Sequence, residues 1–179
     1  MKKIALTMLT MLACLAASAC FAGQPYALAE RHNPQPEFVF ADTEFSLDVF
    51  GFYQNAEPGN PYSDGFGGGI GANVFFARHF GFGVDAGWSD QSEDDTVIHA
   101  VSGSFIVRFP IDRARLAPYV LAGGGGRFDG DKVANLHAGG GIEFRATRNF
   151  GVFSEGRYVW NEEKVNDVAI FRTGLRFAF

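Results

Sequence analysis

The chain has 179 residues, about the size of one domain, and combines 47% apolar and 15% aromatic residues with 23 Gly and 20 Phe. So much Gly argues against a helical bundle, which favours Ala, Leu, Glu and Lys, and so many aromatic residues argue against disorder. A net charge of −5 argues against a nucleic-acid binder, which is normally basic.

The positive start Met1-Lys2-Lys3, the apolar run over residues 4–19 and the small residues after it predict a secretory signal over residues 1–22, cleaved after Ala22. The apolar run is only marginally long enough to span a bilayer and no stop-transfer flank follows, so cleavage is expected rather than anchoring. Both cysteines, Cys14 and Cys20, fall inside this segment, and the mature chain is expected to carry no thiol or disulfide. Ala17-Ser18-Ala19-Cys20 resembles a lipoprotein processing box. Such boxes usually carry Leu or Val where Ala17 stands, which favours plain cleavage. Residues 23–42, with Pro25, Pro34 and Pro36 and no clear period, read as a periplasmic lead-in to a β-domain over residues 43–179.

From Glu44 onward the apolar residues recur every second position, the period of a strand. Phe45, Leu47 and Val49 oppose Glu44, Ser46 and Asp48. Phe66, Ile70, Val74 and Phe76 oppose Gly67, Gly69, Gly71 and Asn73, and Phe80, Phe82, Val84 and Trp88 oppose Gly81, Gly83 and Asp85. A fourth segment over 97–109 sets Val101, Phe105, Val107 and Phe109 against Ser102, Ser104 and Arg108. The fifth, 116–126, is ambiguous, because Tyr119-Val120-Leu121-Ala122 is apolar on both faces. Alternation returns over 133–144, where Leu136, Ile142 and Phe144 oppose His137, Glu143 and Arg145. It continues over 150–160, with Val152 and Tyr158 against Glu155 and Arg157, and over 168–179, with Phe171, Leu175, Phe177 and Phe179 against Arg172, Gly174 and Arg176. Eight strands of about 9–11 residues suit tilted crossings of a bilayer. The predicted class is all-β, an eight-stranded antiparallel up-and-down transmembrane β-barrel.

A soluble barrel would hide the apolar face and show the polar one to water. Here the apolar faces carry no ionised residue, and the charges collect on the face that holds the glycines. Those charges balance: Glu44, Asp48, Asp85, Glu143 and Glu155 against Arg108, Arg145, Arg157, Arg172 and Arg176. Paired charges are how a narrow polar lumen would satisfy itself, since an unpaired buried charge is very costly. An eight-stranded barrel is just wide enough for side chains to fill, and Gly67, Gly69, Gly81, Gly83, Gly139 and Gly141 would make room for arginines and for Phe50 and Phe75.

Short connections at 77–79, 110–115 and 147–149 alternate with longer ones at 55–65, 89–95, 127–132 and 161–167. The longer set holds eleven acids against Arg127, Lys132 and Lys164; the short set holds Arg78, Arg113, Arg115 and Arg148 against Asp112. Short periplasmic turns and long external loops are the rule for outer-membrane barrels. Trp88, Tyr158 and Trp160 mark one rim, and Phe76, Phe80, Phe109, Phe150 and Phe179 the other. Gly67-Gly68-Gly69-Ile70 followed by Arg78-His79-Phe80-Gly81 is echoed by Gly139-Gly140-Gly141-Ile142 followed by Arg148-Asn149-Phe150-Gly151, so the two hairpins look related.

These features resemble the small OmpA-like and opacity-type outer-membrane β-barrel family over residues 44–179. The sharpest element is Arg172-Thr173-Gly174-Leu175-Arg176-Phe177-Ala178-Phe179. It matches the family's C-terminal signal, and the resemblance implies that Gly174, Phe177 and Phe179 are read by the barrel-assembly machinery. The segment Pro118-Tyr119-Val120-Leu121-Ala122-Gly123-Gly124-Gly125 also looks like a strand of these barrels. No peptidoglycan-binding domain follows Phe179, so the cell-wall tether of larger relatives is expected to be absent. The resemblance further implies the outer membrane of a Gram-negative cell, with lipid, lipopolysaccharide and the assembly machinery as partners, and a monomer.

Some outer-membrane barrels are lipid A deacylases with a His and a Ser two apart on an outward face. His99 and Ser102 are three apart, which alternation sends to opposite faces; His137 falls in the expected lumen with no Ser close to it in sequence. No enzyme, cofactor or metal site is therefore expected. The acidic runs at 89–95 and 129–131 lack the spacing and central Gly of a calcium loop, and the glycines at 123–126 lack the Lys-Ser/Thr pair of a phosphate loop. Three roles fit the pattern: a structural or surface-interaction barrel, which is preferred, a narrow small-solute pore, and a soluble periplasmic ligand-binding barrel. The charge-network residues Asp48, Asp85, Arg108, Glu143, Arg145, Glu155, Arg157, Arg172 and Arg176 are the candidate site.

Overall fold

Alternation written into the chain becomes a closed barrel. A computed structural model of the protein describes residues 39–56, 65–89, 100–127, 133–161 and 167–179. The expected signal segment, most of the lead-in and most residues of the four long connections lie outside the described residues. The strands are β1 (Glu44–Ala56), β2 (Gly65–Ala77), β3 (Phe80–Ser89), β4 (Ala100–Arg108), β5 (Leu116–Arg127), β6 (Val133–Arg145), β7 (Phe150–Asn161) and β8 (Val168–Ala178). Each pairs antiparallel with the next, and β8 returns to β1 from Ser46↔Ala178 to Ala56↔Val168. Beyond that seam Phe179 N donates to Phe45 O at 2.8 Å. Closure removes the edge strands, so backbone groups that could not find water in lipid find each other instead.

Side-chain burial is inverted relative to a soluble protein. Val49, Phe82, Val84 and Leu136 are 53–63% exposed on the outer wall, whereas Arg108, Glu143 and Arg145 are 0% exposed inside. The ambiguous fifth segment resolves in the same frame: Ala117, Tyr119 and Leu121 point inward and Val120 outward. Both of its faces are apolar because Tyr119 and Leu121 pack with Phe75 and Ile106 in an apolar cluster on one side of the lumen. The lumen is thus polar by tiers and not throughout.

Strand ends differ modestly from expectation. β1 continues to Ala56, beyond Asn55, where a loop is predicted. The described part of β4 starts at Ala100, and residues 97–99 lie outside the described residues. The β2–β3 connection is a two-residue turn, Arg78-His79, beside a register shift between Phe75 and Ala77. Between β4 and β5 a 3₁₀ turn spans Asp112–Ala114 and ends on Arg115, with φ 56°. That turn is closed by an Ile111–Leu116 bridge.

Aromatic pairs collar the outer wall. Phe76 and Phe82 (ring centroids 5.7 Å apart), Phe80 and Phe105 (6.1 Å), Phe150 and Phe177 (5.5 Å) and Phe45 and Phe179 (6.2 Å) lie towards the turn end. Tyr53 and Phe66 (5.1 Å) and Tyr158 and Trp160 (5.2 Å) lie towards the loop end. Flanking aromatic girdles are how a barrel wall meets the two interfaces of a bilayer.

Candidate functional site: a charge-paired lumen

The ten charges expected inside stand as two stacked neutral tiers. Near the turn end are Glu44, Asp48 and Glu143 with Arg108, Arg145 and Arg176. Glu44 Oε1 accepts from Arg108 Nη1 at 3.0 Å and from Arg145 Nη2 at 2.6 Å. Arg145 Nε donates to Glu143, whose second oxygen accepts from Arg176 Nη1 at 2.6 Å. Arg176 then grips Asp48 with both ends of its fork, Nε to Oδ1 at 2.8 Å and Nη2 to Oδ2 at 2.7 Å. Asp48 and Arg176 face each other across the β1–β8 seam, where directly opposed residues interact most strongly. Such bidentate charged bonds are among the strong ones.

The second tier, nearer the loops, holds Asp85 and Glu155 with Arg157 and Arg172. Glu155 Oε1 accepts from Arg172 Nε at 2.6 Å and from Arg157 Nε. Asp85 Oδ2 accepts from Arg157 Nη2 at 3.1 Å and Arg172 Nη1 at 3.3 Å. Tyr119 connects the tiers: its hydroxyl donates to Glu155 Oε2 at 2.8 Å while its ring lies 6.0 Å from Arg176 Cζ. Ser102 donates to Asp85 Oδ1 at 2.8 Å, and Asn73 donates to Asp48 Oδ2 at 2.9 Å. Neutral hydrogen-bonding residues thus use lone pairs the ion pairs leave over, as a buried polar network requires.

Rings fill the space between the charges. Arg108 Cζ lies 3.8 Å from the Phe75 ring centroid, Arg172 Cζ 4.7 Å from Phe50, and Arg176 Cζ 5.0 Å from Phe153, within the range of cation–π attraction. The inward glycines make that filling possible. A Cβ at Gly69 would stand 2.5 Å from the Phe50 ring, one at Gly81 2.7 Å from Phe75, one at Gly67 2.3 Å from Phe52 and one at Gly141 2.7 Å from the Tyr119 hydroxyl. Phe50 and Phe75 are legible from the sequence in this role; Phe52 and Tyr119 are not.

Two further features escape sequence reasoning. Ser104 Oγ lies 2.8 Å from His137 Nε2, although 33 residues separate them; the pairing of β4 with β5 and of β5 with β6 brings them together. The contact satisfies two buried polar groups. Second, Phe40 is 0% exposed and closes the turn end. Its ring is 5.1 Å from the Cζ of both Arg108 and Arg145. Its backbone is strapped down: Arg78 Nη1 donates to Phe40 O at 3.0 Å, Asp112 Oδ1 accepts from Val39 N at 3.1 Å, and Arg78 pairs with Asp112. Phe40 lies in a proline-rich stretch where Tyr26 and Phe38 are the other aromatics and no sustained period marks it out.

Gly174, Phe177 and Phe179, the expected assembly signal, end the chain on the β8–β1 seam, with Phe177 and Phe179 on the outer wall. The acidic runs considered for calcium lie almost wholly outside the described residues. Among the described residues no group of His, Cys, Asp and Glu is arranged to hold a metal ion.

Closure, inverted burial and collars together decide the architecture. The fold is that of a small outer-membrane β-barrel. Solved structures with the same fold include the N-terminal β-barrel domain of OprF from Pseudomonas aeruginosa (22% identity, TM-score 0.53, covering 75% of this chain and 97% of that one). Neisserial surface protein A is similar at 17% identity and TM-score 0.58, covering 78% and 98%. Ail, the attachment invasion locus protein of Yersinia pestis, crystallised with the heparin analogue sucrose octasulfate, is similar at 14% and 0.52, covering 78% and 100%. No family model and no curated protein sequence matches the chain.

The loop-side tier is expected to be unequal in its parts. Glu155→Ala removes the acceptor of Arg157, Arg172 and Tyr119 at once, whereas Arg157→Ala leaves Arg172 bridging Glu155 and Asp85. Both variants should lower the urea midpoint of the folded barrel, Glu155→Ala by more. An unmoved midpoint in both would remove this tier from the stability of the barrel.

Proposed function

We propose that this chain is an integral outer-membrane protein with a structural or surface-interaction role, working as a monomer. Its short turns face the periplasm and its acidic loops the outside. The carrying observation is the inversion itself: a continuous apolar outer wall around a lumen of buried, paired charge. Lipid covers that wall, with lipopolysaccharide next to its loop end, and the barrel-assembly machinery inserts it. The lumen serves as a stabilising plug. Two neutral tiers and the Phe40 ring oppose a conducting role, because passage would require breaking several desolvated ion pairs together. Eleven acids against three bases in the longer connections disfavour a sulfated polyanion as the external partner and favour a cationic one.

The test is electrophoresis of outer-membrane and periplasmic fractions, boiled and unboiled. A band that stays with the outer membrane and shifts on boiling is the expected result. An unshifted band in the soluble periplasm would replace this reading with a ligand-binding barrel.

A further inference from the structure

We propose that residues 39–43 form a releasable strap across the turn-end mouth of the lumen, latched at its rim by the Arg78–Asp112 ion pair. The inference rests on the reading of the lumen as a plug and names the part of that plug that moves. Val39 N donates to Asp112 Oδ1 at 3.1 Å, and Asp112 stands in the turn just before β5. The chain then enters β1 at Glu44. β1 and β5 are four strands apart in either direction around the closed barrel, so the segment joining them has to cross the mouth. Phe40 hangs from this crossing, its ring 5.1 Å from the Cζ of Arg108 on β4 and of Arg145 on β6. The ring thereby covers the turn-side tier, where those two arginines share Glu44.

What holds the strap differs from what holds the barrel. Residues 39–43 belong to no strand, and side chains fasten their backbone instead. Arg78 Nη1 donates to Phe40 O at 3.0 Å, Arg108 Nη2 donates to Ala41 O at 3.4 Å, and Asp112 holds Val39 N. Two of these three anchors, Arg78 and Asp112, pair with each other where water reaches them. Their side chains are 21% and 23% exposed, against 0–2% for Arg108, Arg145 and Glu44. Salt weakens an ion pair in contact with water and screens a buried pair much less. A segment held by few, partly exposed bonds opens locally at less cost than the whole fold. The strap is therefore built to open while the barrel stays closed. Once the latch parts, Val39 N and Phe40 O turn to water, the ring leaves the guanidiniums, and the turn-side tier is wetted. The loop-side tier stays paired, so release opens no passage.

The test places a single thiol under the strap. In the full chain, with Cys14 and Cys20 replaced by Ser, Ala117→Cys puts it at a fully buried inward position at the turn end of β5. Gln54→Cys, made separately, puts it at a buried inward position at the loop end of β1. Both chains are refolded into detergent micelles, where both mouths meet solvent, and their labelling by a small water-soluble methanethiosulfonate is timed. Asp112→Asn should speed labelling at position 117 by up to about fivefold, the range of a part-exposed ion pair, and Phe40→Gly should speed it more. Neither should change labelling at position 54. Added salt should speed labelling at position 117 while Asp112 is present and have little effect in Asp112→Asn. Without any added thiol, the Val39 amide of the unaltered chain should exchange with deuterium faster than the Leu47 amide of β1, and faster still in Asp112→Asn. Unchanged labelling at position 117 in both variants overturns the seal, and indifference to salt overturns the latch. Equal acceleration at position 54 would mean that the whole barrel loosens, and a Val39 amide as slow as that of Leu47 would mean a fixed plug; either overturns the strap. All four results leave the membrane reading intact, whereas a chain whose band never shifts on boiling overturns both.

Discussion

Glu143→Gln is expected to destabilise the barrel by about 3–5 kcal/mol, the cost typical of leaving a buried charge without its partner. Glu143 is 0% exposed and joins Arg145 to Arg176. Its neutralisation leaves three guanidiniums facing only Glu44 and Asp48. Gln keeps the side-chain volume, so the loss reports charge and not a cavity. The measurement is urea-dependent unfolding from phosphatidylcholine vesicles, followed by the fluorescence of Trp88 and Trp160. Arg176→Gln alone should also cost several kcal/mol. Combined with Glu143→Gln it removes one charge of each sign and restores neutrality, so the double variant should be more stable than the sum of the singles by about 1 kcal/mol or more. Strict additivity would mean that the tier is only a set of neighbouring side chains.

Much of this barrel is legible in the chain because a strand period of two sorts residues onto faces without any knowledge of the fold. Glu143-Phe144-Arg145 and Glu155-Gly156-Arg157 show how far this goes: Glu-x-Arg spacing puts both charges on one face, and the structure joins each pair. Alternation reveals which residues share a lumen, but not their height within it, because height depends on how far each strand is offset from its neighbours. That is why the charges read as one balanced set in the sequence and stand as two tiers in the barrel. Contacts across the lumen are opaque for the same reason. Glu44 meets Arg145 across 101 positions of chain, and Ser104 meets His137 only because of the shared register with β5. Tyr119 is opaque for a further reason, since its inward apolar face is matched by an equally apolar outward face.

Gly174→Val should prevent most of the purified chain from closing in vesicles, with no assembly machinery present. Gly174 faces Phe50 across the β1–β8 seam. A Cβ there would stand 2.3 Å from Val49 O, 2.7 Å from Phe50 Cβ and 2.8 Å from Phe50 Cα. Two of those three atoms are backbone, so β1 itself would have to move, at the one seam that must form between the ends of the barrel. Overpacking of a filled interior costs about 1–3 kcal/mol when side chains can yield, and a main-chain collision should exceed the upper figure. Phe179→Ala provides the contrast. That ring is 72% exposed and touches Phe45 on the outer wall, so its loss should shift the unfolding midpoint in vesicles by no more than about 1 kcal/mol. If the C-terminal pattern is read by the assembly machinery, Phe179→Ala should nevertheless reduce the amount of folded barrel in cells. The glycine of that pattern would then be held by the packing of β8 against β1, and the terminal aromatic by recognition during assembly. Equal refolding of Gly174→Val and the unaltered chain in vesicles would return the glycine to the signal.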